Sequence, residues 1–197
     1  MRPEGACATR VIGGRLGGRP LAAPAGRETR PTPDRVRGAL FDALTARGEG
    51  LRDLRVLDLF SGSGALAIEA LSRGAAAAWC VERAPAALAV LRRNVEALGL
   101  GSCLQVLARD AWAVLGGEGL PAGACFQLVL ADPPYAVGAL ALLAAVAAAP
   151  WLAPGARCAF EHAVREELPA RSGTLRRVWR RVYGGTAVSV YEAEAGA

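Results

Sequence analysis

Val56-Leu57-Asp58-Leu59-Phe60-Ser61-Gly62-Ser63-Gly64-Ala65 is the stretch that decides the fold. An apolar run of strand length ends in a bend with two glycines, and a helical stretch follows over residues 65–72. Gly62 and Gly64 allow close approach of backbone to a ligand, and the first turn of the following helix offers it unpaired N–H groups. Strand, glycine bend and helix in this order open a βαβ unit.

The alternation continues outward from that unit. Residues 78–81 read as a strand and 86–98 as a helix; 104–107, 126–131 and 157–160 read as further strands, with helical stretches near 111–115 and 138–148. Such a pattern implies right-handed crossovers and a mostly parallel sheet. The ending is different, because residues 175–183 and 186–192 flank Gly184-Gly185, a hairpin signal, so an antiparallel pair closes the sheet. No internal repeat is present.

On the other side, Gly13-Gly14 and Gly17-Gly18 flank Arg15-Leu16, and Pro20, Pro24, Pro31 and Pro33 forbid a long helix before residue 33. Turns and a small hairpin fit this arm. Thr32 can cap a helix with Pro33 at its first position, and Val36, Leu40, Phe41 and Leu44 recur at helical spacing before Gly48 and Gly50 end it. The chain therefore divides into an arm and helix over 1–50 and one α/β domain over 51–197.

Composition excludes several classes. No apolar run is long enough to span a bilayer and the start lacks the apolar core of a signal peptide, so a cytoplasmic protein is expected. Five cysteines without a C-x-x-C pair and a single histidine, His162, argue against a metal site or a disulfide framework. Cys80, Cys125 and Cys158 sit in or beside apolar runs, as small buried hydrophobes do. The net charge of +5 comes from arginine alone, since there is no lysine. Arg2, Arg10, Arg15, Arg19, Arg27, Arg30, Arg35 and Arg37 face only Glu4, Glu28 and Asp34 in the first 37 residues, an excess equal to the net charge of the whole chain. That arm suits a polyanion.

Two acids and one quartet carry the chemistry. Gly62 to Ala67 satisfies G-x-G-x-x-A, so a dinucleotide fold is a rival, and Glu82 at the end of the second strand can accept ribose hydroxyls in either fold. Asp58, upstream of the glycines, would repel a pyrophosphate but tolerates a cationic cofactor without phosphate, such as S-adenosylmethionine. Asp110 stands where an adenine amine can be held, or caps the helix after it. Trp112 covers the adenine or joins the core, the second being favoured; Asn94 is expected to face solvent or a loop. Asp132-Pro133-Pro134-Tyr135 directly follows the apolar run 126–131. The prolines fix the backbone and remove donors, leaving rigid carbonyls beside a carboxylate and an aromatic, a fitting acceptor site for a flat substrate with an amino group. His162 reads as a structural or surface group at a strand end.

These motifs together resemble the class I S-adenosylmethionine-dependent methyltransferases that modify amino groups on bases. Arg10 to Gly14, Arg19-Pro20-Leu21, Arg30 to Arg37, Leu40-Phe41, and Tyr183 to Thr186 with Tyr191 more narrowly resemble the RsmD-type bacterial 16S rRNA guanine-N2 methyltransferases, over nearly the whole chain. That resemblance implies a Rossmann-like α/β fold with a seven-stranded sheet, mostly parallel with its last hairpin antiparallel. It implies S-adenosylmethionine as cofactor, held by Asp58, Phe60, Gly62, Gly64, Glu82 and Asp110, with Arg30 and Thr32 closing over it. Asp132, Pro133, Pro134 and Tyr135 would hold the base, and Arg10, Arg15, Arg19 and Arg35 would contact RNA. The implied partner is 16S rRNA in a partly assembled small subunit, met by a monomer without metal. The turn at Arg15-Leu16-Gly17-Gly18 departs from the family in lacking an aromatic and further basic residues. A DNA or RNA adenine-N6 methyltransferase, a nicotinamide-dependent oxidoreductase and a non-catalytic RNA-binding assembly factor are the alternatives.

Overall fold

The computed structural model describes residues 9–23, 34–46 and 50–194. Arg30 and Thr32 lie outside the described residues, as do the expected cap and first position of the helix at 32–33.

Strands β1 (Thr9–Arg10) and β2 (Pro20–Leu21) pair antiparallel around a short 3-10 turn, Gly14–Leu16, and α1 (Asp34–Thr45) follows. Then come β3 (Arg55–Leu59), α2 (Ala65–Ser72), β4 (Ala77–Glu82), α3 (Pro85–Ala97), β5 (Leu104–Ala108), α4 (Ala111–Leu115), β6 (Phe126–Ala131) and α5 (Ala139–Ala147). The chain ends in β7 (Leu152–Ala163), β8 (Arg171–Ser172), β9 (Leu175–Tyr183) and β10 (Thr186–Ala193).

The main sheet has eight strands in the order β5-β4-β3-β6-β7-β10-β9-β8, parallel from β5 to β7 and antiparallel thereafter. It exceeds the expected seven only by the two-residue β8. Strand β10 sits between β7 and β9, so the last strand in sequence is interior to the sheet. A dinucleotide-binding fold is a mostly parallel sheet in the order 3-2-1-4-5-6, which this sheet, with antiparallel β10 inserted between β7 and β9, does not match.

Both faces of the sheet are covered, which is why its strands read as near-continuous apolar runs. Val56, Leu128 and Leu130 face a core shared with α1, α2 and α3, to which Val36, Leu40, Phe41 and Leu44 contribute the buried stripe of α1. Leu57, Leu59 and Phe126 face the other core, with α4, α5 and the edge-to-face rings of Trp79, Phe126 and Trp151. Strand β7 starts five residues earlier than its apolar run suggests, passing through Pro154-Gly155 next to a register irregularity in its pairing with β6. A bulge of this kind tolerates proline inside a strand.

The arm is docked by polar groups. The backbone N–H groups of Ile12 and Gly13 donate to the fully buried Glu69 of α2, and that of Leu16 donates to the Ser72 hydroxyl. Gly14 has a φ of 76°, and a Cβ there would lie 2.0 Å from the Ser72 carbonyl oxygen, so only glycine lets the turn approach α2 this closely. Asn94 of α3 is buried: it accepts from the Ala22 N–H at 2.9 Å and donates to the carbonyls of Ala22 and Ser63. Of the two expected settings, solvent or a loop, it takes the second, between the arm and the glycine loop. It satisfies backbone groups that neither the arm nor the glycine loop can pair alone.

Candidate active site

The strand order reverses between β3 and β6, and in open α/β sheets a ligand crevice forms outside the carboxyl ends of the strands at that switch. A cleft of about 550 Å³ lies there. It is lined from β3 by Phe60, Ser61, Gly62 and Ser63, from β4 by Val81 and Glu82, and from β6 by Asp132, Pro133 and Pro134. Residues whose roles were not legible complete it: Val36 and Arg37 of α1, Glu161 of β7, and Tyr183 and Thr186 at the hairpin tip.

Each side chain is placed by local chemistry. Phe60 follows β3 with a φ of 62°, left-handed backbone that is strained for a bulky residue, at the point where the chain leaves the sheet. Gly64 has a φ of 80° at the N-terminal cap of α2, and a Cβ there would lie 2.4 Å from Leu91 Cδ1. Glu82 draws its surroundings together, for Oε2 accepts from the Gly62 N–H at 3.0 Å while Oε1 accepts from the N–H groups of Arg83 and Ala84 at 2.8 and 2.7 Å. Three backbone donors converge on one carboxylate.

Asp58 lies under this loop rather than in the cleft. It is 1% exposed; Oδ2 accepts from the Ala67 N–H in the first turn of α2 at 3.2 Å, and Oδ1 has no hydrogen-bond partner. Burial pushes its carboxyl up to about 8, the Ala67 N–H opposes this, and the neighbouring charges of Asp132 and Glu82 add to it.

Asp110 caps α4, its Oδ1 accepting from the Trp112 N–H at 2.8 Å, while Oδ2 pairs with Arg83 at 2.7 Å. Its neighbours Arg109 and Ala111 line the cleft. Trp112 is 42% exposed, so it does not belong to the core as expected: α4 turns Ala111, Val114 and Leu115 inward and leaves it outside. His162 is buried in β7 against the Ser189 hydroxyl of β10 at 3.0 Å, a structural group, with its pKa lowered by that burial.

The quartet leaves the sheet as its composition dictates. Pro133 is buried, Pro134 exposed, and a 3-10 turn over Tyr135–Val137 follows, in which the Val137 N–H takes the Pro134 carbonyl at 2.8 Å. Ala131 pairs with Phe160, so Asp132, just past the end of β6, stands beside Glu161 of β7. Of the arm's arginines, Arg10, Arg15, Arg19 and Arg35 are all exposed, with Arg10 paired to Asp34 at 3.3 Å. Arg37 is buried instead and donates to Thr9, to the Arg10 carbonyl and to Asp34. Among the described residues no cluster of His, Cys, Asp and Glu is suited to a metal, and no helix is long and apolar enough to cross a membrane.

A parallel sheet with this switch, an acid at the end of its second strand and an antiparallel strand inserted before its last edge defines a class I methyltransferase fold. The solved structures agree. The yhhF protein of Escherichia coli is 35% identical, with a TM-score of 0.81, over 96% of this chain and 99% of that one. A Thermus thermophilus 16S rRNA N2 G1207 methyltransferase, solved with AdoMet and guanosine, is 24% identical with a TM-score of 0.68, over 96% of this chain and 50% of that one; it shows the fold alone. The family described as conserved hypothetical protein 95 matches residues 9–192. Ribosomal RNA small subunit methyltransferase D of Escherichia coli is 35% identical over 94% of this chain and 90% of its own length. The chain belongs to this family, the RsmD family of methyltransferases.

Proposed function

We propose that the protein transfers a methyl group from S-adenosylmethionine to the exocyclic N2 amine of a guanine in 16S rRNA, acting in the cytoplasm as a monomer on a partly assembled small subunit. The observation carrying this reading is that Glu82, the glycine loop and Asp132-Pro133-Pro134 open on one cleft. Family membership supplies the address, through relatives named for small-subunit rRNA.

The residues present fit the cofactor. The cleft is of ligand size, and the carboxylates of Glu82 and Asp132 line it, placed to accept from ribose hydroxyls and an amino group. Gly62 and Gly64 would lie beside its methionine part, with Asp58 and Phe60 supporting the loop. Glu82 would hold the ribose and Asp110 the adenine, and Arg30 and Thr32 would close over it. S-adenosylmethionine supplies an electrophilic methyl on a sulfonium.

This chain's own residues would do the rest. An in-line displacement needs its nucleophile aligned and water kept out. The lone pair of a guanine N2 amine is shared with the ring; acceptance of its two N–H groups by Asp132 and the Pro133 carbonyl draws the nitrogen toward a tetrahedral, reactive form. The prolines hold that carbonyl rigid, and the Pro134 carbonyl is already taken by Val137. Tyr135 would stack on the unpaired base, a contact worth roughly 1–3 kcal/mol. The amine becomes acidic only on methylation, so no strong general base is required. Residues 1–50, with Arg10, Arg15, Arg19 and Arg35, would form the RNA-facing arm and lid.

The test is incubation with methyl-labelled S-adenosylmethionine and, separately, small subunits, naked 16S rRNA and duplex DNA, followed by nucleoside digestion. Label in N2-methylguanine from the ribosomal substrates is expected. Label in N6-methyladenine, or none, overturns the reading.

A further inference from the structure

Strand β9 reads Leu-Arg-Arg-Val-Trp-Arg-Arg-Val-Tyr, four arginines and no acid in nine residues. One of them is committed internally, since Arg177 donates to the Leu168 carbonyl at 2.7 Å. Arg176, Arg180 and Arg181 are exposed, and none forms an ion pair with a described residue. Arg181 lies over the Trp179 ring, 5.9 Å from its centroid, a contact that orients a cation without neutralising it. Val182 beside them is 43% exposed.

Position adds to charge. Strand β8 covers β9 only at Arg176 and Leu175, so the remainder of β9 is the outer edge of the sheet. At its far end β9 reaches Tyr183, which pairs with Thr186 across the Gly184-Gly185 turn, and both residues line the cleft. The strand therefore leads from the rim of the cleft along an open, cationic edge. From Arg176 to Arg181 it covers about 17 Å, a stretch of several nucleotides of backbone. A charge or two suffices to keep an edge strand from pairing with another. Three exposed guanidiniums beside an aromatic, with an acid, Glu192, opposite only Arg176, exceed that need.

We propose that β9 is a second binding surface for the RNA phosphodiester backbone flanking the target, distinct from the N-terminal arm; this rests on the RNA substrate proposed above. The arginines neutralise phosphates without reading sequence, and Trp179 keeps Arg181 presented.

The experiment compares the wild type with two triple variants, Arg176, Arg180 and Arg181 all changed to Gln, or all to Lys. It measures binding to a 16S rRNA fragment across a salt series, methyl transfer with varied rRNA, S-adenosylmethionine binding, thermal unfolding and sedimentation. In the Gln variant the log–log salt slope should fall by about 2–3 and the KM for rRNA should rise roughly tenfold, with kcat and cofactor binding unchanged. The Lys variant should recover the slope. An unchanged slope and KM in the Gln variant would overturn the proposal, as would self-association as its sole change, which would make β9 only a guarded edge. A wild type that places no label in rRNA fails the substrate reading, whereas a labelling wild type matched by the Gln variant fails β9 alone.

Discussion

The Glu82 carboxylate accepts the Gly62 N–H at 3.0 Å, so the acid ending the second parallel strand holds the loop that leaves the first. Its other oxygen takes the N–H groups of Arg83 and Ala84. One side chain thus sets the shape of both walls of the cleft.

Glu82→Gln should therefore weaken S-adenosylmethionine binding by roughly tenfold or more, because a charged acceptor of about 1.5–3 kcal/mol is lost and an amide N–H₂ is turned toward backbone donors. Isothermal titration calorimetry measures this. Affinity equal to that of the wild type would remove Glu82 from the cofactor site.

Asp132→Ala should abolish methyl transfer and leave cofactor affinity within a few-fold of normal, since Asp132 follows β6, with β3 between it and Glu82 at the end of β4. Single-turnover kinetics beside equilibrium cofactor binding separates the two effects. Parallel loss of both would assign Asp132 to the cofactor pocket.

Asp58 carries a pH signature. Its folded pKa, raised to about 8, lies above its ordinary value of 3.8, so the native state keeps a proton that the unfolded chain releases. The unfolded state then binds fewer protons, and this group's contribution to stability falls as pH rises between about 4 and 8. Asp58→Asn cannot ionise. The urea-unfolding free energy of wild type minus variant should decline from pH 5 to pH 8, with the opposing titration of buried His162 cancelling in the difference. A flat difference would mean that Asp58 is ionised throughout.

Asn94→Ala should cost on the order of 1–3 kcal/mol and also loosen the cofactor loop, because the side chain joins Ala22 to the Ser63 carbonyl. Denaturant unfolding gives the first effect, and amide exchange at Ser63 and Gly64 the second. Protection unchanged at those amides would show that the arm and the loop are held independently.

The parts of this molecule legible in its sequence are the local ones. The β3–glycine–α2 turn, the Asp132 quartet after β6 and the Gly184-Gly185 hairpin each announce themselves within a dozen residues, through apolar period and turn chemistry. Asn94, Glu69 and Ser72 did not, because a polar residue on a helix looks solvated until the partner that buries it is known, and here the partner is an arm some 50–70 residues earlier. Long-range pairing also hid Glu161, brought to the cleft by the pairing of β7 with β6, and Tyr183 and Thr186, brought there because β10 enters the sheet between β7 and β9. Trp112 was misjudged since hydrophobicity alone does not say which side of a five-residue helix faces inward.

The interior place of β10 also governs when the molecule can finish folding. Until residues 186–193 have left the ribosome, β7 has no partner on its far side and β9 has none on its near side, and the hairpin wall of the cleft does not exist. A nascent chain that lacks β10 therefore exposes two pairing edges, the hazard that unpaired strands bring. An enzyme so built lacks the Tyr183–Thr186 wall of its cleft until β10 takes its place in the sheet.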